Sequence, residues 1–160
     1  MVLESSASLA ASLRIVLGVV AGVVATFGMD AAMTRLPEGE TPPTVAAGVL
    51  TRTDPDEAPE RLAAAAHYLA GGATGPLYVT LLFLAEGVAG GASPVVYAAT
   101  AAVLFLLMVG FFVVVVLPRP GLPKQRVSRI SRDWAVSALA YLLVLVPVVW
   151  AGSSALGRLA

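Results

Sequence analysis

The sequence predicts an all-α integral membrane protein, a bundle of four transmembrane helices. Hydrophobic residues make up 58% of the chain and charged residues 12%, with a mean hydropathy of +0.88, whereas a typical soluble domain is roughly 25% charged. Four apolar runs stand out, at residues 9–34, 62–85, 94–117 and 134–156. Each reaches the roughly 20 residues that a helix needs to cross a hydrocarbon core about 30 Å thick.

The segments between these runs leave no room for a second folded unit, so residues 1–160 are predicted to form a single polytopic domain. Asp54, Pro55 and Glu57 together give a typical helix-start signal for the second helix. Ser93 followed by Pro94 gives the cap-then-proline order expected at the start of the third. We therefore expect helices at about 8–35, 55–86, 94–117 and 131–157.

The composition excludes several kinds of site. The chain has no cysteine and one histidine, which excludes a disulfide, a thiolate metal site and a histidine-rich metal site. We expect neither a metal nor another cofactor. Ten basic and ten acidic residues give a formal net charge of zero, so no overall field attracts nucleic acid. The expected partners are the lipid bilayer and either further copies of the chain or another membrane protein.

The basic residues predict how the chain is oriented. Eight of the ten lie in or beside the two connections between helices one and two and between helices three and four; only Arg14 and Arg158 lie at the other side. Basic residues are enriched in cytoplasmic loops. We therefore expect a multi-pass protein of the cell membrane with both long loops in the cytoplasm and both termini outside. The eight residues are Arg35, Arg52, Arg61, Arg119, Lys124, Arg126, Arg129 and Arg132.

Two ionisable side chains, Asp30 and His67, lie well inside apolar runs. An ionisable group at membrane depth is costly and is by default a candidate functional site. Each residue lies a few positions from the loop-side boundary of its run, which places both roughly 7 Å deep at 1.5 Å per residue. Tyr68, Thr26 and Tyr141 are the polar residues that we expect near this pair.

A packing register between helices one and two follows from the same residues. If the two helices are antiparallel, Asp30 faces His67, Thr26 faces Gly71, and Gly22 faces Gly75. Small residues at such positions let helix backbones approach closely. We therefore predict that the helices pack through Gly18, Gly22, Gly71 and Gly75. Arg14 and Glu86 then meet near the outer end.

Two interpretations of the Asp30 and His67 pair remain open. In the structural interpretation, a carboxylate and an imidazole satisfy each other and fix the register of two helices, which adds specificity more than stability. In the functional interpretation, the pair exchanges a proton or holds a translocated polar solute, because imidazole is the side chain whose charge changes most readily near neutral pH.

Arg126, Arg129 and Arg132 recur every three residues beside the last apolar run. Basic residues near a membrane surface attract anionic lipid head groups, so these three are candidates for head-group contact. The alternative is that they serve only to set the topology.

Three short stretches carry a resemblance to a known group of proteins. AGVVATFGMD (residues 21–30), HYLAGG (67–72) and PRPGLPKQRVSR (118–129) resemble small four-helix bacterial and archaeal membrane proteins classed as domains of unknown function, including YagU-like inner-membrane proteins. The resemblance implies a polytopic helical fold with Asp30 and His67 as pattern positions. It implies no activity and no catalytic residue.

Three functions are compatible with these observations. The first is a non-enzymatic membrane protein that assists proton-linked or small-solute transport as an oligomer. The second is a structural or accessory subunit of a membrane complex that has no transport activity of its own. The third is a lipid-modifying membrane enzyme, which needs a polar cavity open to head groups near Asp30, His67 and Arg132. The sequence shows no nucleophile or metal set for this enzyme.

Overall fold

Five α-helices build the protein within the part of the chain that its computed structural model describes, residues 2–159; side chains are described for residue 9 and residues 11–158. The helices are α1 (Val2–Met33), α2 (Thr41–Thr51), α3 (Glu60–Ala89), α4 (Pro94–Phe111) and α5 (Lys124–Leu159). A 3₁₀ turn (Pro55–Glu57) precedes α3, and a π-helical segment (Phe112–Val116) continues α4.

Within the described residues, four helical stretches are long and apolar enough to cross a membrane: Ala11–Met33, Glu60–Ala89, Pro94–Val116 and Lys124–Arg158. This confirms the predicted all-α four-helix bundle and fits a multi-pass membrane protein. The two longer connections, residues 34–59 and 117–123, lie at one end of the bundle, which we call the loop end. The start of α1, the end of α5 and the turn at residues 90–93 lie at the other, the terminal end.

The transmembrane helices pack in a ring. α1 contacts α3 and α5 along its length, and α4 closes the ring between α3 and α5. The centre is filled by large side chains with no exposed surface, including Tyr78 and Leu82 of α3, Leu104 of α4, and Tyr141 and Leu145 of α5. Burial of such side chains against one another holds the helices in fixed positions.

The connection between α1 and α3 folds back onto the bundle through α2. A β-carbon on Gly39 would overlap the carbonyl oxygen of Met33, so the turn after α1 requires glycine. α2 then buries Val45 in a cluster with Phe112, Leu117 and others at the loop end. This short helix covers the loop end of the bundle.

The start of α3 differs from the predicted position near residue 55. Asp54 does act as a cap, since its side chain accepts a hydrogen bond from the Asp56 N–H at 2.9 Å, but it caps only the 3₁₀ turn. Pro59 then holds Ala58 in an extended conformation, with ψ of 142°, because proline disfavours the helical region for the residue before it. The long helix therefore begins at Glu60.

The starts of α4 and α5 show one agreement and one difference. Ser93 caps α4 as predicted, and its hydroxyl accepts a hydrogen bond from the Val96 N–H at 3.3 Å. α5 begins at Lys124 rather than near residue 131, directly after Pro123. The polar residues before the apolar run are thus helical, which hydropathy alone does not reveal.

Candidate functional site

α1 and α3 cross in backbone contact, at the four glycines that the sequence predicted. A β-carbon added to Gly75 would overlap the carbonyl oxygen of Gly18, and one added to Gly22 would lie 2.6 Å from the carbonyl oxygen of Gly71. A β-carbon on Gly71 would overlap the hydroxyl of Thr26. We call Gly18, Gly22, Gly71 and Gly75 the glycine seam.

The seam ends, toward the loop end, at the two ionisable residues. Nε2 of His67 lies 2.7 Å from Oδ1 of Asp30, and the hydroxyl of Tyr68 donates to Oδ2 of Asp30 at 2.6 Å. The Tyr68 ring also meets the His67 ring edge-on, with centroids 5.5 Å apart. We call Asp30, His67 and Tyr68 the polar triad.

The triad lies at the edge of the bundle and is neither fully enclosed nor fully exposed. The side chain of His67 is 10% exposed and that of Asp30 is 32% exposed, and Tyr68 lies at the surface. The closed Asp30 and His67 contact agrees with the predicted register. It does not lie in a dry core, because one side of the carboxylate faces outward.

Thr26 and Tyr141 lie near the triad without hydrogen-bonding to it. The Thr26 hydroxyl donates to the Gly22 carbonyl of its own helix at 2.8 Å. The Tyr141 hydroxyl reaches across from α5 and donates to the Gly71 carbonyl at 2.7 Å. Both therefore support the seam, one turn of helix away from His67.

A cavity of about 570 Å³ adjoins the triad between α3 and α4. This volume falls within the roughly 300–1,000 Å³ of typical small-molecule sites. α3 and α4 form its walls, α2 closes the loop end, and α5 contributes Trp134 and Tyr141. Most of the lining side chains are aliphatic or aromatic, and His67 is among the few polar ones. His67 is thus the residue that belongs to both the triad and the cavity.

The three predicted head-group arginines lie on the first turns of α5 in different surroundings. Arg126 forms a two-pronged ion pair with Asp56, at 2.7 and 2.8 Å, and also approaches Glu38. Arg132 pairs with Asp133 while 66% of its side chain stays exposed. Arg129 is exposed on the helix surface. Their contact with lipid head groups stays a prediction.

The Arg126 pair also changes the electrostatics of the loop between α2 and α3. Hydrogen bonds from the guanidinium hold the pKa of the Asp56 carboxyl below its ordinary value, because they stabilise the ionised form. This pair ties the 3₁₀ turn to α5 across the loop end.

Asp133 is a buried carboxylate that the sequence did not single out. Its side chain has no exposed surface; Oδ2 accepts a hydrogen bond from the Glu38 N–H at 2.9 Å, and Oδ1 accepts from Arg132 at 3.0 Å. The feature of the sequence that could have drawn attention to Asp133 is its position directly before the last apolar run. That position is equally typical of a residue exposed at the membrane boundary.

A second polar cluster lies at the terminal end. Arg14 donates a hydrogen bond from each of its two terminal nitrogens to the Glu86 carboxylate, both at 2.8 Å, in the pairing that the sequence predicted. The guanidinium of Arg14 also lies over the Phe83 ring, 4.6 Å from its centroid. A cavity of about 400 Å³ opens beside this pair. Two buried polar atoms there, Arg14 Nε and Ser153 Oγ, have no hydrogen-bond partner among the residues that the structure describes.

Comparisons with family models, with curated proteins and with solved structures gave no match to this chain. The resemblance to YagU-like proteins stays a prediction from short motifs. The architecture that carries the candidate site is a four-helix bundle, with a glycine seam, a polar triad at one end of the seam and an apolar cavity beside it.

Proposed function

We propose that this protein assists proton-linked movement of a small solute through the membrane, acting as an oligomer. One observation carries the proposal: the same imidazole, His67, is hydrogen-bonded to Asp30 and lines the cavity. A group that binds a solute and also changes its charge near neutral pH couples the two events. Asp30 supplies the hydrogen-bond partner that holds the imidazole beside the cavity.

The orientation and the oligomer belong to this proposal. The excess of basic residues at the loop end supports a cytoplasmic location for that end. The triad then lies on the cytoplasmic side of the bilayer. The partial exposure of Asp30 and the surface position of Tyr68 at membrane depth support a partner on that face, because a carboxylate in contact with lipid is costly.

The decisive experiment measures the decay of an imposed pH gradient in proteoliposomes that contain a trapped pH-sensitive dye. The proteins are wild type, Asp30→Asn, His67→Gln and the matched control Tyr78→Phe. The Gln amide can still donate to Asp30, while Tyr78 is a buried α3 residue whose hydroxyl donates to the Tyr97 carbonyl, away from the triad. Chromatography and circular dichroism establish folding in each case.

We expect wild type and Tyr78→Phe to dissipate the gradient faster than empty liposomes, and the two triad variants to match empty liposomes. A folded His67→Gln protein that conducts like wild type refutes the role of the imidazole. If wild type itself matches empty liposomes, the isolated protein does not conduct protons, and the proposal fails in this form.

A structural or accessory subunit is the second candidate, and the glycine seam favours it. The hydrogen bond between Asp30 and His67 lies at the end of the glycine seam and fixes the register of α1 against α3. This role needs no solute. This candidate predicts that His67→Gln changes assembly with a partner and leaves proton flux at the level of empty liposomes in every variant. The lipid-modifying enzyme is not favoured, because the cavity beside His67 has a mostly apolar lining to which Arg132 does not contribute.

A further inference from the structure

The cavity beside the triad offers few hydrogen-bond donors to a ligand. Its other polar side chains already donate to carbonyl groups of the protein, so they have no free donor for a ligand. These hydrogen bonds run from Thr74 to Ala70 at 2.7 Å, from Tyr141 to Gly71 at 2.7 Å and from Trp134 to Met108 at 3.3 Å.

His67 is the exception among the described lining residues. Its Nε2 is engaged with Asp30, and no described residue forms a hydrogen bond with Nδ1. When Asp30 is the acceptor of this hydrogen bond, the neutral imidazole carries its hydrogen on Nε2, and Nδ1 is left as an acceptor. Nδ1 is therefore a lining nitrogen that no described residue occupies, beside the hydroxyl oxygens of Thr74 and Tyr141, which keep lone pairs although they donate to carbonyl groups.

The opening of the cavity lies at membrane depth. Five lining residues are at the protein surface: Ala70, Ala73 and Leu77 of α3, and Leu107 and Phe111 of α4. All five lie within the candidate membrane spans. A ligand that enters between α3 and α4 therefore comes from the hydrocarbon core of the bilayer and must be soluble there.

We infer that the cavity binds a lipophilic molecule with a single hydrogen-bond-donating group, an alcohol, a phenol or an undissociated carboxylic acid, and that this group donates to Nδ1 of His67. The inference rests on the proposed function only in taking this cavity as the solute site. A solute that is already ionised when it enters is excluded from this class, because the hydrocarbon core and the apolar lining would leave its charge unsolvated and unpaired.

The link to proton movement is direct when the donor is a carboxylic acid. Transfer of its proton to Nδ1 breaks the O–H bond, forms an N–H bond and leaves a carboxylate on the ligand. The resulting imidazolium lies between that carboxylate and Asp30, 2.7 Å from the latter. Binding of the acid then delivers one proton to the triad.

The test uses a long-chain alcohol that carries a photoreactive diazirine, and the methyl ether of the same compound as its matched probe. Both partition into the bilayer, but only the alcohol donates a hydrogen bond. Wild-type protein in proteoliposomes is photolabelled with each, and labelled peptides from α3 and α4 are quantified by mass spectrometry. We expect the alcohol to label the cavity-lining peptides roughly two- to tenfold more than the ether, the range set by one net hydrogen bond.

Three variants locate the effect. His67→Phe, which keeps a ring and removes the nitrogen acceptor, should reduce labelling by the alcohol to the level of the ether. Leu107→Trp, which fills the cavity mouth, should reduce labelling by both probes, whereas Leu106→Trp on the adjacent lipid-facing position should reduce neither. The tryptophan pair keeps the test valid even if His67→Phe does not fold.

Equal labelling of wild type by alcohol and ether overturns the inference, since the cavity then selects only for apolar chains. Labelling that Leu107→Trp leaves unchanged also overturns it, because the probe then binds elsewhere. The proposed function fails separately: expected labelling without proton flux in the gradient assay refutes transport and leaves the ligand site in place.

Discussion

The carboxylate of Asp133 accepts a hydrogen bond from the backbone N–H of Glu38, with Oδ2 2.9 Å from the nitrogen. Asp133 is completely buried near the start of the apolar part of α5, and Glu38 lies in the turn that follows α1. This contact ties the loop ends of α1 and α5 together. It also places α2, which starts soon after Glu38, against the bundle.

Replacement of Asp133 by Ala should lower the free energy of unfolding by about 1–3 kcal/mol, because the Glu38 N–H loses its acceptor in a buried site. Asp133→Asn keeps a side-chain oxygen and should cost less. Thermal unfolding in detergent micelles measures both variants. Equal stability of Asp133→Ala and wild type contradicts a supporting role for this carboxylate.

Gly71→Ala should destabilise the protein by about 1–3 kcal/mol, the typical cost of forcing an extra carbon into a packed interface. The added carbon would overlap the Thr26 hydroxyl and push α1 away from α3. Gly72→Ala is the matched control, since its added carbon would lie 3.5 Å from Val23, an ordinary contact. Denaturant unfolding compares the two, and a loss of stability equal in both would show that backbone effects, and not the seam, determine the cost.

Loss of one partner of the Arg14 and Glu86 pair should cost more than loss of both. Glu86→Gln leaves a mostly enclosed guanidinium without its counter-charge, and we expect a cost somewhat below the roughly 3–5 kcal/mol of a fully buried broken pair. In the double variant Arg14→Met with Glu86→Met, apolar side chains replace both charges, and stability should recover to within about 1 kcal/mol of wild type. The free energies of unfolding of Arg14→Met, Glu86→Met and the double variant measure this coupling; additive losses would disprove it.

The stabilisation that the Asp56 and Arg126 pair gives to the folded loop should be lost only at acidic pH. The folded protein lowers the pKa of Asp56 below its ordinary value of 3.8, so the stabilisation is fully present above that value and is lost as the pH falls through the folded pKa. Hydrogen exchange of residues 52–58, corrected for the intrinsic pH dependence, should show constant protection at mildly acidic and neutral pH. Asp56→Asn should reduce that protection at mildly acidic and neutral pH, and a variant with wild-type protection there would show that the pair does not order the loop.

The packing of α1 on α3 was predictable from sequence because its determinants lie on two continuous helices. Spacing along each helix fixes which residues share a face, and the depths of Asp30 and His67 fix how far one helix is shifted against the other. The observed 2.7 Å contact follows from that register. The same pattern of small residues identified Gly22 and Gly75 as contact positions.

The loop end was less predictable because its contacts join distant parts of the chain. Asp133 and Glu38 are separated by 95 positions, and Arg126 and Asp56 by 70. No local pattern encodes such pairs, so Arg126 was predicted to meet lipid and Asp133 was overlooked. The cavity could not be predicted for the same reason, since every helix of the bundle contributes to its lining.

The backbone contact at the glycine seam has a consequence for how this sequence can change. At Gly18, Gly22 and Gly75 the space that any side chain would need is taken by backbone atoms of the neighbouring helix, and no rotamer change can clear backbone atoms. On α4, by contrast, valines and leucines such as Val95 and Leu106 are exposed on the outer surface. There, one aliphatic residue can replace another with little loss of stability. Neutral drift should therefore accumulate on α4, while the line of contact between α1 and α3 stays almost fixed in composition.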